Sequence, residues 1–545
     1  MDAAGASVGA AGETRWARPR WQAALLVAVA TLVGLLTLDG GFVYDDRHAI
    51  LQSPVVQGAL PFGEAATGRD FWGLPLGSAA KVSWRPALPL IWRGLWAAGG
   101  GSPLPLRAFG LLAHVVACLL GWALLRRWLP ARAALLAALA FAVHPVHAEA
   151  VGGMVGNADV LAGAAVFGAL LWLDRRPQQV TVACAFVGLG CLVKESALLG
   201  LPLLAIALWT RRASMRSWLG FVATAGGVAT AVLTMVARAH GGAAEGASDN
   251  VLVALPTGGR LLTALALVWR GARVLVWPDD VAPNHSYAVY DAAAGALWPW
   301  ALAGTLVLGG ALVTGLRALA RHDTATAVLL GLCAGPIVAG SNLLFLAPTE
   351  FAERLLYVSA LAPAAWAASG LDALLRRNRA AGRRTGAAWL GAAIVLATLA
   401  TVTVWHQRPW RDQRALFAHG VAIEPRSWRN QHNLGDALAK AGEVESGLWH
   451  VLLGAHLRRS LPQPLDWRVV EALELLPVRE RLLTGPAALA GPDACGLIEA
   501  LIAAAWPGEA SARDAAQART VFAQRYDCPG PGSAQASDRR LAPAP

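Results

Sequence analysis

Charge is what this sequence has least of. Only 15% of its residues are Asp, Glu, Lys or Arg, whereas soluble domains carry about 25%. That shortfall excludes an ordinary water-soluble chain, because a larger buried core would not dilute charge this far over 545 residues. Cysteine is scarce too: six residues, widely scattered, exclude a disulfide framework and a thiolate metal site. Cys118, Cys184, Cys191 and Cys333 sit in apolar runs and read as inert packing residues. Cys495 and Cys528 fall in a polar C-terminal stretch, where a bridge and two free thiols are both open. A small-residue cleavage site is missing after the first apolar run, 21–38, which Arg15, Arg18 and Arg20 precede. The run therefore reads as an uncleaved first span with its N-terminal segment (1–20) in the cytoplasm.

What is present is apolar sequence in lengths suited to about 30 Å of hydrocarbon. After the first run come 105–125, 131–146, 157–173, 179–194, 196–210, 217–237, 294–316, 324–346, 354–374 and 386–405, giving about eleven spans. The 57 Gly and 31 Pro scattered among them are tolerated in membrane helices, and the 23 Trp suit the interface belts. The net charge of +11 does not point to nucleic acid, because the Arg clusters lie beside the apolar runs. Arg126–Arg127, Arg175–Arg176, Arg211–Arg212 with Arg216, Arg317 with Arg321, and the group from Arg376 to Arg384 fall at every second junction, as cytoplasmic ends should. The stretch 258–277 holds Arg260, Arg270 and Arg273 and would invert the alternation if it crossed, so it is expected to be re-entrant, interfacial or half of a broken pair.

This topology puts the loop 39–104, the segment His144–Asp159, Lys194 with Glu195, the region 238–293, Glu350–Arg354 and the tail on one extracytoplasmic side. Ionisable groups near membrane depth are costly and usually kept for a task. Asp45 and Asp46 follow the first span; on an extended segment neighbours point opposite ways, so one can face a cavity while the other binds backbone amides or a cation. His144 and His147 with Glu149 allow structural hydrogen bonding, substrate contact or a metal, and Pro145 breaks the helix between the two histidines. Lys194 and Glu195 read as an outer turn or as a phosphate contact. Glu350, Glu353, Arg354 and Tyr357 stand at the mouth of a span, where a guanidinium fork suits a phosphate or a carboxylate.

The tail from about 411 is ordinary in polarity. Residues 428–442, WRNQHNLGDALAKAG, carry Trp, Leu, Gly and Ala at spacings resembling the first helix of a tetratricopeptide hairpin, and 443–458 and 466–508 are degenerate helical segments. A small helical domain over 411–529 is expected, followed by a disordered end over 530–545.

FVYDD (42–46), HPVHAEAVGGMVGNAD (144–159), VKES (193–196) and AERLLY (352–357), with a membrane-to-repeat transition, resemble the transmembrane and tetratricopeptide-containing O-mannosyltransferases of the GT-C glycosyltransferase superfamily. The resemblance covers roughly 35–410. It implies an all-α polytopic GT-C-like membrane domain over 21–405 that moves a sugar, such as mannose, from a polyprenyl-phosphate carrier to a hydroxyl of a protein acceptor, with inversion. It implies Asp45 or Asp46 as catalytic base and Arg354, Lys194, His144 and His147 around the donor phosphate. Glu149, Asn157, Asp159, Glu195, Glu353 and Tyr357 would support the site. No cofactor is expected beyond the lipid-linked donor, and no obligatory divalent metal. The expected partners are the donor, membrane lipids and a protein or glycan acceptor. Transfer to a lipid or envelope glycan, a transporter or flippase, and a non-enzymatic repeat scaffold are the alternatives. A tail that presents the acceptor would be dispensable for donor binding. Abundant Ala, Gly, Leu and Arg with short loops reads as bacterial, hence a multi-pass inner-membrane protein with its C-terminal domain extracytoplasmic.

Overall fold

The computed structural model describes residues 18–76, 83–239, 250–253, 255–286, 297–347 and 349–459, with isolated positions beyond. The N-terminal segment through Arg15, both tail cysteines and nearly all of the expected helical domain after 459 lie outside the described residues. Within them the chain is helical, and its only strand-like feature is one isolated bridge between Arg69 and Pro75.

The elements are α1 (Pro19–Gly34), α2 (Phe62–Thr67), α3 (Ala87–Ala98), α4 (Leu104–Trp128), α5 (Ala131–Ala142), α6 (Ala148–Gly152), α7 (Asn157–Arg175), α8 (Val180–Cys191) and α9 (Gly200–Thr210). They continue with α10 (Met215–Ala239), α11 (Thr257–Val274), α12 (Leu297–Ala320), α13 (Thr324–Gly340), α14 (Leu361–Ala380) and α15 (Gly386–Gln407). The tail begins with α16 (Gln413–Ile423), α17 (Trp428–Lys440) and α18 (Val444–Arg459).

Each of the eleven apolar runs contains helix, but not all are long enough to cross alone. Among the described residues seven helices are long and apolar enough, and an eighth results if α5 and the bent continuation Pro145–Gly152 count as one span. The bend is 47° and falls where Pro145 interrupts the hydrogen-bond ladder. Val180–Cys191, Glu195–Thr210 and Thr324–Gly340 are apolar but shorter. The expectation of eleven full spans thus becomes seven or eight, with three shorter helices. A 12-residue helix such as α8 reaches only about 18 Å at 1.5 Å per residue. α11, the stretch that disturbed the alternation, forms a helix packed along α12.

A large apolar cluster built chiefly on α4, α5, α7, α8, α9, α13 and α14 forms the core of the membrane part, with smaller clusters under the loop 42–96 and at the junction with the tail. α4 packs on α1, α5 and α7, while α14 closes against α5. At the opposite end from the polar loops, Asp174 near the C-terminus of α7 takes ion pairs from Arg127 of α4 and from Arg211 after α9. Asp159, near the other end of α7, stands about 22 Å away for 15 intervening rises of about 1.5 Å. One helix therefore separates an arginine belt from the candidate site.

The expected boundary between membrane part and tail is heavily bridged. Arg107, 3% exposed, donates to the carbonyls of Thr37, Gly41, Gly152 and Trp410. Trp410 lies flat on Gly152 and Gly153, where an added Cβ would meet its ring at 2.8 Å, so this close approach needs glycine at both positions. In the tail, α17 and α18 form a tight hairpin, with Gly435 facing the carbonyl of Gly447 and α16 packed on α17.

Candidate active site

The chain leaves α1 through a single 3₁₀ turn and reaches Tyr44, which has φ of +52°. A bulky residue with positive φ is a steric outlier, costing of the order of 1–3 kcal/mol, and persists only where surroundings impose it. Here the backbone N–H of Tyr44 donates to Oε1 of Gln413 at 2.8 Å, and its ring meets Phe417 edge-on at 5.4 Å. The Tyr44 hydroxyl accepts from Nδ2 of Asn284 at 3.1 Å.

The turn at Tyr44 sends the two following carboxylates to different places. Asp46 points inward, 1% exposed, and accepts from the N–H groups of Val155 (3.0 Å) and Val43 (3.4 Å). Burial, the dominant influence, pushes its carboxyl up to about 7 despite those two hydrogen bonds and the nearby Arg107. Asp45 instead lines a cavity of about 1060 Å³. Its carboxyl is raised above the ordinary range by burial, opposed by the positive charges of Arg354 and Arg429.

Three cations share that cavity, each with its own carboxylate. Arg354 pairs with Glu149. Nζ of Lys194 sits 2.6 and 2.7 Å from the two oxygens of Asp159. Arg85 makes a fork with Glu195, at 2.8 and 2.5 Å. Among the described residues Asp45 has no such partner in direct contact, so the charges described in the cavity are three closed pairs and one open carboxylate. The opposite wall is apolar: Val232 and Leu233 of α10, Gly335 and Val338 of α13, then Leu344 and Phe345. Tyr357 lines the cavity and backs onto Gly163, where a Cβ would meet its ring at 2.9 Å.

Several residues expected at the site lie elsewhere. Nε2 of His144 donates to the carbonyl of Leu275 at 3.1 Å and its Nδ1 accepts from Val146 N–H at 3.2 Å, so both nitrogens are used and the ring is neutral. His147 donates to the carbonyl of Tyr357 at 3.1 Å, inside a ring cluster with His114, Phe141 and Tyr357. Neither histidine is among the residues that line the cavity, and both make the structural hydrogen bonds that the sequence also allowed. Asn157 is buried against Gly110 and its amide makes no hydrogen bond among the described residues. Glu353 turns away from the cavity and pairs with His285 at 2.7 Å. His285 also meets Glu424 of the tail at 3.1 Å, and Arg270 lies 3.5 Å from the same Glu424. Burial opposes the charge on His285, but Glu353 beside it outweighs this and pushes the ring up to about 9.

Arg85, Arg107 and His285 were not among the expected site residues. Arg107 carried a signal, an arginine at the outer end of an apolar run, against the positive-inside pattern. Arg85 and His285 sit in long polar loops where nothing in the sequence identifies the partner. Among the described residues no group of three or more His, Cys, Asp or Glu side chains comes together as a metal-ligand set.

Comparison with known proteins bears on the same segments. Residues 85–237 match the family model for dolichyl-phosphate-mannose-protein mannosyltransferases. Protein O-mannosyl-transferase Tmtc1 of Drosophila melanogaster is 47% identical over 135 residues, 24% of this chain and 16% of that one. Protein O-mannosyl-transferase TMTC3 of Mus musculus is 25% identical over 482 residues, 80% of this chain and 51% of that one. The alignments thus span about half, or much less, of these relatives. The archaeal oligosaccharyltransferase AglB from Archaeoglobus fulgidus superposes over 83% of this chain and 60% of its own, with a TM-score of 0.41 at 13% identity. The family-model match begins at Arg85 and takes in Asp159, Lys194 and Glu195 of the cavity, so the part of the chain that lines it is similar in sequence to protein O-mannosyl-transferases.

Proposed function

We propose that the chain is a GT-C-type glycosyltransferase that moves a sugar, mannose foremost, from a polyprenyl-phosphate carrier to a hydroxyl of a protein acceptor. The observation that carries this reading is the cavity itself, with one open carboxylate, three basic side chains and an apolar wall in a single space. A lipid phosphate needs that combination: hydrocarbon contact for the polyprenyl chain, positive charge for the phosphate, and a base for the incoming hydroxyl.

In the proposed step Asp45 takes the acceptor hydroxyl proton as the oxygen attacks the anomeric carbon. The bond to the phosphate oxygen breaks on the opposite face, so the configuration inverts. Charge grows on the departing phosphate, and Arg354 with Lys194 and Arg85 stabilises it there. Each cation shares its charge between its carboxylate and the leaving group. Asp46, held by two backbone amides, fixes the loop instead of reacting. No step requires a metal ion.

The test is donor turnover by the purified protein in nanodiscs with polyprenyl-phosphate mannose. Asp45→Asn should lower kcat by about 10²–10⁴-fold, the usual worth of a general base. Asp46→Asn, which still offers an oxygen to Val155, should cost less. Because Asp45 is raised, the parent's kcat/KM should fall on acidification at a pH above the ordinary carboxylate value of about 3.9. Turnover indifferent to Asp45, or none across a panel of lipid donors, would remove the reading.

A further inference from the structure

The membrane part holds the strained turn that separates Asp45 from Asp46 through Asn284, Val155 and Arg107, but the acceptor for the turn's own N–H at Tyr44 comes from the tail. That acceptor is Gln413, the first residue of α16, which follows the last long apolar helix. Gln413 Oε1 takes the Tyr44 N–H at 2.8 Å. One residue earlier, Asp412 caps α16 by accepting from Ala415 N–H at 2.8 Å, which fixes where Gln413 stands. Phe417, fully buried one turn further on, supports the Tyr44 ring. The N–H of Gly41 donates to the carbonyl of Arg411 at 2.9 Å, so backbone and side chains of the tail grip the loop from Gly41 to Tyr44. Val43, Trp410, Leu416, Phe417, Leu434 and Leu438 form a separate buried apolar cluster at this junction.

Resting on the catalytic reading above, we propose that Gln413 is a positioning residue for Asp45: its side-chain oxygen holds Tyr44 in the left-handed conformation that turns Asp45 into the cavity while Asp46 stays on the backbone amides. Without that acceptor the N–H of Tyr44 loses its partner and the turn can relax to negative φ. Relaxation rotates the Asp45–Asp46 pair and takes the base away from the acceptor hydroxyl. The donor's contacts with Arg354, Lys194 and the apolar wall do not pass through Gln413. Its loss therefore acts on the chemical step and spares donor binding.

The experiment uses the full-length chain in nanodiscs. Gln413→Ala should lower kcat by about 10- to 100-fold, the cost of displacing a reacting group by an ångström, with KM for polyprenyl-phosphate mannose within about twofold. Gln413→Glu, which keeps an oxygen at the same place, should restore most of that kcat. Tyr44→Gly, for which the left-handed region is free, should shrink the effect of adding Gln413→Ala to about threefold or less. An equal drop in both Gln413 variants, or unchanged kcat in Gln413→Ala, overturns the proposal.

A second readout needs no activity. Asp45→Cys should react with a membrane-impermeant thiol reagent and Asp46→Cys should be protected, the label being located by mass spectrometry. Adding Gln413→Ala should erase that contrast, and its persistence overturns the proposal whatever the turnover. Loss of the contrast in a protein whose parent turns over no lipid donor would leave the positioning role standing and remove the glycosyltransferase reading.

Discussion

Asp45 and Asp46 are identical side chains one bond apart in sequence, and their surroundings give them different work. The sequence allowed this division, since neighbours on an extended segment diverge, but did not say which residue faced the cavity. That depended on Tyr44 at positive φ and on Gln413, 369 positions away. The histidines' hydrogen bonds were illegible for a related reason: His144 reaches Leu275 across 131 positions and His147 reaches Tyr357 across 210, and no local pattern reveals such partners. His285 supports a pH prediction. Its pKa is raised to about 9 from 6.5, so the stability it contributes is complete below pH 6.5 and is lost as pH rises through 9. Its partner Glu353 is depressed from 4.5: burial opposes its charge, but His285 and then Arg270 outweigh this, so its contribution is present above pH 4.5 and lost on acidification below that. The thermal midpoint of His285→Gln should therefore lie furthest below the parent's between pH 4.5 and 6.5, and the gap should narrow toward pH 9. A gap that widened with pH would contradict the pairing.

At the scale of elements, hydropathy located every apolar run that becomes helix, because a run of that length buries its backbone polar groups only by coiling. It overestimated crossings where polar residues cut helices short. Lys194 and Glu195 end α8 and begin the turn before α9, bringing charge to the cavity at the expense of two long spans. The stretch 258–277 was the weakest part of the alternation, and α11 shows why: its arginines serve folded partners, with Arg270 on Asp280 at 2.9 Å and Arg273 on Asp279 at 2.8 Å. α11 and α12 touch so closely at Gly304 that a Cβ there would collide with the carbonyl of Leu265. Gly304→Val should destabilise the protein by about 1–3 kcal/mol, an overpacking cost. It should also leave donor turnover near parental in the fraction that remains folded. Differential scanning of the variant in detergent, beside its activity per folded molecule, tests both halves.

Over the whole molecule, the division expected from the sequence lets the tail present the acceptor while leaving donor binding to the membrane part, and the contacts between the two bear on it. On that division, deletion of the tail would spare the donor. Trp410, Gln413, Phe417 and Glu424 reach back to Gly152, Tyr44 and His285. Truncation after residue 409 should therefore abolish transfer and lower the midpoint of the membrane part as well. Truncation after residue 459 keeps α16 to α18 and should retain donor turnover. Equal donor binding and equal thermal midpoints in the two truncations, with transfer lost only in the shorter, would restore the original division.

Arg107 shows what such an architecture demands during biosynthesis. Its guanidinium is completed by carbonyls at positions 37, 41, 152 and 410, so the last of them leaves the ribosome some three hundred residues after the arginine does. Throughout that interval the charge on α4 is only partly compensated. A chain stalled before residue 410 therefore carries a buried cation short of one of its four carbonyls.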